Sequence, residues 1–178
     1  MYKFILSKKI NSYYRKNSRE KRFLNFKDIQ SILILFDTAN YDAVDLFVKK
    51  LKKLNRHVTA YAYKDKSDQY NYSETPYQII TAKEAGDLFD NKVEQIATEI
   101  RNQTFDAVFD LTLTRNIPLE YILMHAHAHV KAGLKKSNIP HYDLAIISLP
   151  ESEDDDSKVK ELGKQIIYYL HTIKTKQV

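Results

Sequence analysis

Apolar positions along this 178-residue chain switch repeatedly between two periods, and each switch marks an element. Ser31–Phe36, SILILF, is a continuous apolar run too short for a helix, which suits a strand covered on both faces. It ends in Asp37, Thr38, Ala39 and Asn40. Beyond that turn Ala43, Val44, Phe47, Val48, Leu51 and Leu54 recur at helical spacing and predict a helix over about 41–54. His57–Tyr63, HVTAYAY, alternates and predicts the next strand, reached by a tight crossover. Strand, helix and strand open a βαβ unit whose first strand is expected at the centre of a parallel sheet.

A polar, tyrosine-bearing stretch over 64–75 reads as a loop, with Tyr70 and Tyr72 placed to cover the strand ends or to pack on the body. The apolar pattern then resumes. Gln78–Thr81 predicts a short third strand, and Val93, Ile96, Ala97 and Ile100 mark a helix. Ala107, Val108, Phe109 and Leu111 form a second buried strand, interrupted by Asp110. Asn116 is placed to cap the following helix and Pro118 falls in its first turn, where a missing N–H is tolerated. Leu119, Ile122, Leu123, Ala126 and Val130 continue that helix at regular spacing, which puts His125, His127 and His129 inside it or at its end. Further strands are expected over 130–134 and 142–149. A last helix over about 157–174 buries Val159, Leu162, Ile166, Ile167 and Leu170. Five acids in the six residues Glu151–Asp156 precede it, where negative charge suits a helix N-terminus.

Composition narrows the classes. Hydrophobic residues at 43% and charged ones at 29% describe a globular domain. With no cysteine, a disulfide framework and a thiol nucleophile are both excluded, which points to the cytoplasm. No apolar run approaches the length of a membrane span, so no transmembrane segment is expected. Charge is unevenly spread: residues 1–27 carry nine basic groups against Glu20, a net +8, leaving −3 for the rest of a chain whose total is +5. This predicts a basic N-terminal arm over 1–27 on an α/β domain over 28–178. Phe4, Ile5, Ile10, Tyr13 and Tyr14 would lay the arm on the body as a helix. Lys8, Lys9, Arg15, Lys16, Arg19, Lys21 and Arg22 are the candidates to contact an anion. An acidic body, nucleic-acid phosphates, an anionic membrane surface and a second copy of the chain are the partners such an arm suits.

Candidate chemistry gathers at the strand ends. A parallel sheet binds ligands in the crevice beyond its carboxyl ends, and Asp37 and Asp110 are expected side by side there. Thr38, Asn40, Thr112, Arg115 and Asn116 complete the candidate ligand-binding set, with Arg115 suited to an anionic group and the carboxylates to Mg²⁺ or to a base role. Only three glycines occur, Gly86, Gly133 and Gly163, and the turn DTANYD has none. A phosphate cradle needs glycines for close backbone approach, so dinucleotide and P-loop sites are set aside. On a helix His125 and His129 would project together, but the HExxH arrangement needs a Glu where Ala126 stands, and a third zinc ligand is missing. Neither a metal nor a cofactor is therefore expected.

Phe105–Lys136, FDAVFDLTLTRNIPLEYILMHAHAHVKAGLKK, preceded by SILILFD and the basic segment, resembles a family of short Rossmann-like α/β proteins of unknown function found in Bacteroidetes. The likeness covers nearly the whole chain. More distantly, the same strand, helix and Gly133-bearing strand are similar to the amino-terminal domain of heptosyltransferase-type glycosyltransferases. Those enzymes bind their sugar nucleotide mainly through a separate carboxyl-terminal domain, for which this chain has no room, and their glycine-containing loop after the first strand is absent here. The resemblance implies a Rossmann-like three-layer sandwich with a mostly parallel sheet of five or six strands, and it implies no transferase activity. Two functions follow: a non-enzymatic binding or interaction module with a basic arm, or a small enzyme or small-molecule binder that uses the strand-end carboxylates, with a metal or without one.

Overall fold

The computed structural model describes residues 2–16, 19–86, 92–137, 140–152 and 154–174. In chain order the elements are α1 (Tyr2–Lys16), β1 (Ser31–Asp37), α2 (Tyr41–Lys53), β2 (His57–Lys64), β3 (Gln78–Thr81), α3 (Ala82–Gly86), α4 (Lys92–Arg101), β4 (Thr104–Asp110), α5 (Ile117–His125), β5 (His127–Leu134), β6 (Leu144–Ile146) and α6 (Asp155–Thr172), with 3-10 turns at Phe26–Asp28 and Thr38–Asn40.

All six strands pair in parallel, in the order β3-β2-β1-β4-β5-β6. This is the doubly wound Rossmann-like order, in which the direction of winding reverses between β1 and β4. Successive side chains of a strand point to opposite faces, so an all-apolar strand feeds two cores at once. In β1, Ile32, Ile34 and Phe36 enter a cluster with Val44 and Val48 of α2 and Leu162 and Ile166 of α6. Leu33 and Leu35 enter the opposite cluster with Ile96 and Ile100 of α4, Ile122 and Leu123 of α5, and Leu6 and Ile10 of α1. Each of these fully buried side chains contributes about 1.5–3 kcal/mol through the water it sheds. Helices thus cover both faces of the sheet, the three-layer sandwich expected from the sequence.

Local chemistry sets the ends of the elements. After α2 the chain turns through Asn55 at φ 57°, a left-handed residue that lets the Arg56 N–H bond back to the Leu51 carbonyl and delivers β2 within two residues. Asp154 caps α6, its carboxylate accepting from the Ser157 N–H, with Asp155 and Asp156 in the first turn. α6 lies against α2 where Gly163 meets Phe47; a Cβ there would stand 2.8 Å from the ring.

Three expectations need correcting. α5 stops at His125, because Ala126 is extended and β5 starts at His127, opposite Thr104, the first residue of β4. The histidines consequently do not share a helix face. His125 is buried with its Nδ1 2.8 Å from the Tyr121 carbonyl, whereas His127 is exposed and His129 half-buried on the strand. β6 is shorter than 142–149, spanning Leu144–Ile146; Tyr142 precedes it and donates its hydroxyl to a polar partner described below. In α1 Ile10 is buried as expected and Leu6 joins it, but Phe4 and Ile5 are 64% and 39% exposed. The side chains of Tyr13, Tyr14, Arg15 and Lys16 lie outside the described residues.

Candidate functional site

The reversal between β1 and β4 opens a crevice at their carboxyl ends, as such reversals do. In the register of the two strands Asp110 pairs with Leu35, so Asp37 stands two residues further along and closer to the rim. That small offset gives the two carboxylates different surroundings.

Asp110 is 3% exposed and its oxygens are fully engaged. Oδ1 accepts from the Thr112 N–H at 3.0 Å and the Thr112 hydroxyl at 2.6 Å, and Oδ2 accepts from the Lys136 ammonium at 2.7 Å and the Tyr142 hydroxyl at 2.6 Å. Burial works to raise its pKa, but the Lys136 charge and these hydrogen bonds together hold it below the usual carboxylate range. Tyr142 reaches Asp110 by lying across Gly133, where a Cβ would stand 2.7 Å from the ring and 3.1 Å from the Asp110 carbonyl. Burial and the neighbouring carboxylate drive the phenol pKa of Tyr142 far upward, so it stays a donor.

Asp37 is only half-buried, and among the described residues it makes one side-chain hydrogen bond, accepting from the Asn116 amide at 2.6 Å. Asn116 has two tasks: its carbonyl oxygen also accepts from the Leu119 N–H at 3.2 Å, capping α5 as expected. Desolvation, reinforced by the Asp110 charge, raises the Asp37 pKa to about 6 against the opposing pull of Asn116 and Lys136.

Asp37, Thr38, Asn40, Arg115 and Asn116 line a crevice of about 370 Å³, together with Tyr63, Asp65, Ser67, Asp68 and Asp155. Of the candidate residues, Asp110 and Thr112 lie beneath its floor, at 3% and 1% exposed. Arg115 is held on the wall by Glu120, its Nε donating at 2.8 Å and its Nη2 at 3.3 Å to the two carboxylate oxygens. Nε2 of His141 lies 2.6 Å from the same Glu120. Burial works to raise the Glu120 pKa, and His141 with Arg115 lowers it on balance. Thr38 donates its hydroxyl to Asp68 at 2.5 Å, and the Asn40 amide donates to Asp156 at 3.2 Å.

The lining is therefore acidic, with Arg115 already neutralised. The turn after β1 is a 3-10 turn without glycine, and Asn55 is the only left-handed residue among the described non-glycine ones. A phosphate would meet carboxylates here in place of converging backbone N–H groups. Among the described residues no group of three or more His, Asp or Glu is placed to hold a metal ion, and no helix is long and apolar enough to cross a membrane. Asp110 is engaged by Lys136, which leaves it poorly suited to share a cation with Asp37.

Sequence reasoning missed Lys136, Tyr142, Glu120 and His141. Lys136 and Tyr142 lie 26 and 32 residues from the carboxylate they serve, and nothing local marks that partnership. Asp65 and Asp68 sat in a stretch legible only as polar loop.

The basic segment is tied to the body at several points. Arg19 donates to the Ala128 carbonyl at 2.7 Å and the His129 carbonyl at 3.1 Å and pairs with Asp143, with both side chains under 10% exposed. Lys9 pairs with Glu94 at 2.5 Å and Lys21 with Asp143 at 3.5 Å. Lys8, Lys21 and Arg22 remain exposed.

Comparison with known proteins places this architecture in a family without assigning it an activity. The chain belongs to a family of unknown function, DUF6913, whose model matches residues 3–173. No curated protein and no solved structure matches the chain.

Proposed function

We propose that the protein is a non-enzymatic binding module that holds a small ligand in the strand-end crevice through a protonated amine. The observation that carries this reading is the state of Asp37: a desolvated carboxylate at an open rim, steadied by one neutral donor and engaged in no ion pair among the described residues. A buried charge without a counter-charge is costly, and an ammonium group entering the crevice would supply one. Thr38 and Asn40 offer oxygen acceptors beside it, and Arg115, fixed by Glu120, lines the same crevice. Asp110 and Thr112 support the floor from below.

In amide NMR titration of the intact protein with n-butylammonium at pH 7, the expected result is saturable shifts at Thr38, Asn40 and Asn116, lost in Asp37→Asn. Binding should weaken as pH falls through about 6, where Asp37 takes up its proton. Absence of saturable shifts at the rim would overturn the reading.

The same Asp37 pKa favours the enzyme alternative, with Asp37 as a general base near neutrality. Turnover abolished by Asp37→Asn while ligand still binds would select it. For residues 1–27 the reading keeps an appended basic arm on the 28–178 body in a cytoplasmic protein, with exposed Lys8, Lys21 and Arg22 as contacts for an anionic partner. Arg19, already bound to Asp143, is structural in this account. The likenesses to a Bacteroidetes family and to glycosyltransferase amino-terminal domains bear on the fold alone.

A further inference from the structure

Thr38, Ala39 and Asp68 line two hollows at once. One is the crevice; the other is a neighbouring groove of about 420 Å³ whose walls include Tyr41, Tyr70 and Tyr72, with Asp42 and Asp156. The tyrosines are grouped around Tyr72, whose ring centroid lies 5.2 Å from that of Tyr41 and 4.8 Å from that of Tyr70. Two of the hydroxyls are tied down, Tyr72 donating to Asp68 at 2.8 Å and Tyr41 bonded to Thr75 at 2.7 Å, and this fixes how those rings stand. Desolvation and the Asp68 carboxylate push the Tyr72 phenol up to about 12, so it remains a neutral ring.

Rings of this kind attract ammonium groups through their faces, and a carboxylate beside them strengthens the attraction. The fold already uses that chemistry here. The Lys64 ammonium stands 5.3 Å from the Tyr72 centroid and donates to the Tyr70 carbonyl. An ammonium group of the chain itself thus occupies the neighbourhood that a ligand ammonium would seek.

We propose that crevice and groove form one continuous site for an elongated organic polycation, a diamine or polyamine, with one ammonium at Asp37 and another against Tyr72 between Asp68 and Asp156. The proposal rests on the amine reading of the crevice and adds the second anchor. Ala39, exposed between the two hollows, lies where the hydrocarbon linker would cross. Lys64 competes for the outer position.

Calorimetric titration of the full chain with spermidine and with n-butylammonium in 150 mM salt tests this. Spermidine is expected to bind at least about tenfold more tightly than butylammonium. Tyr70→Ala, at a residue 68% exposed and so safe for folding, should weaken spermidine about fivefold and leave butylammonium unchanged. Lys64→Met should tighten spermidine binding severalfold by vacating the outer position. Equal affinity for the two amines, or equal weakening of both by Tyr70→Ala, would overturn the two-anchor site while leaving the crevice reading standing. Failure of spermidine alone would likewise overturn only the two-anchor site, and failure of both amines to bind the unaltered chain would overturn both readings.

Discussion

Two aspartates at the ends of adjacent parallel strands have opposite circumstances. Asp110 lies two residues deeper in the register than Asp37 and is closed in by a lysine, a tyrosine and a threonine. Asp37, at the rim, has one amide. The same residue type is thus a structural fastening on one strand and an available charge on the next. What separates them is how many groups the chain spends on neutralising each. A crowded carboxylate stabilises a wall; an under-compensated one, its pKa raised, is where binding chemistry collects.

The contrast can be tested by shifting groups from one side to the other. Lys136→Met should have the largest effect, a loss of about 3–5 kcal/mol in urea unfolding, because Asp110 would be left buried and unpaired. A loss below about 1 kcal/mol would mean that the pair does not fasten the floor. Gly133→Ala should come next, at about 1–3 kcal/mol, because the added Cβ must displace the Tyr142 ring or the β4 backbone. Unfolding of that variant alongside Tyr142→Phe would separate steric displacement from loss of the hydroxyl.

On the Asp37 side the sign reverses. A carboxyl whose folded pKa is about 6, against an ordinary value of 3.8, binds its proton more readily in the folded state than in the unfolded one. Its contribution to stability is complete below about pH 4 and is lost as pH rises through about 6. Asp37→Asn should therefore raise stability at pH 7 by about 1–2 kcal/mol and flatten the decline between pH 4 and 6 in thermal unfolding. A destabilised variant would refute the under-compensated description. Asn116→Asp should have the smallest effect, a loss of about 1 kcal/mol at pH 7: either residue caps α5 equally well, and the cost comes from replacing the donor to Asp37 with a like charge. Carboxyl ¹³C titration should find the Asp37 pKa displaced further upward.

Much of this arrangement was legible before the structure. β1, α2 and β2 follow from a short apolar run, a helical period and an alternation, three patterns that exclude one another over those lengths. The meeting of Asp37 with Asp110 follows from β1 and β4 being parallel neighbours. The stretch from Ala126 to Val130 misled because a four-residue interval between apolar positions fits both a helical turn and two steps of alternation. Tertiary pairing with the start of β4 decided between them. Lys136, Tyr142, Glu120 and His141 were illegible for another reason: their meaning comes from partners on other elements, and each taken alone looks like an ordinary polar residue.

The outermost strands, β3 and β6, have only four and three residues. A foreign strand seeking backbone partners along either margin of the sheet would find few N–H and C=O groups to pair with, too few for a stable extension. Polymerisation by sheet addition is thereby discouraged. Any assembly this protein forms should be built on helical faces and broken by altering side chains there, with the sheet left closed to its neighbours.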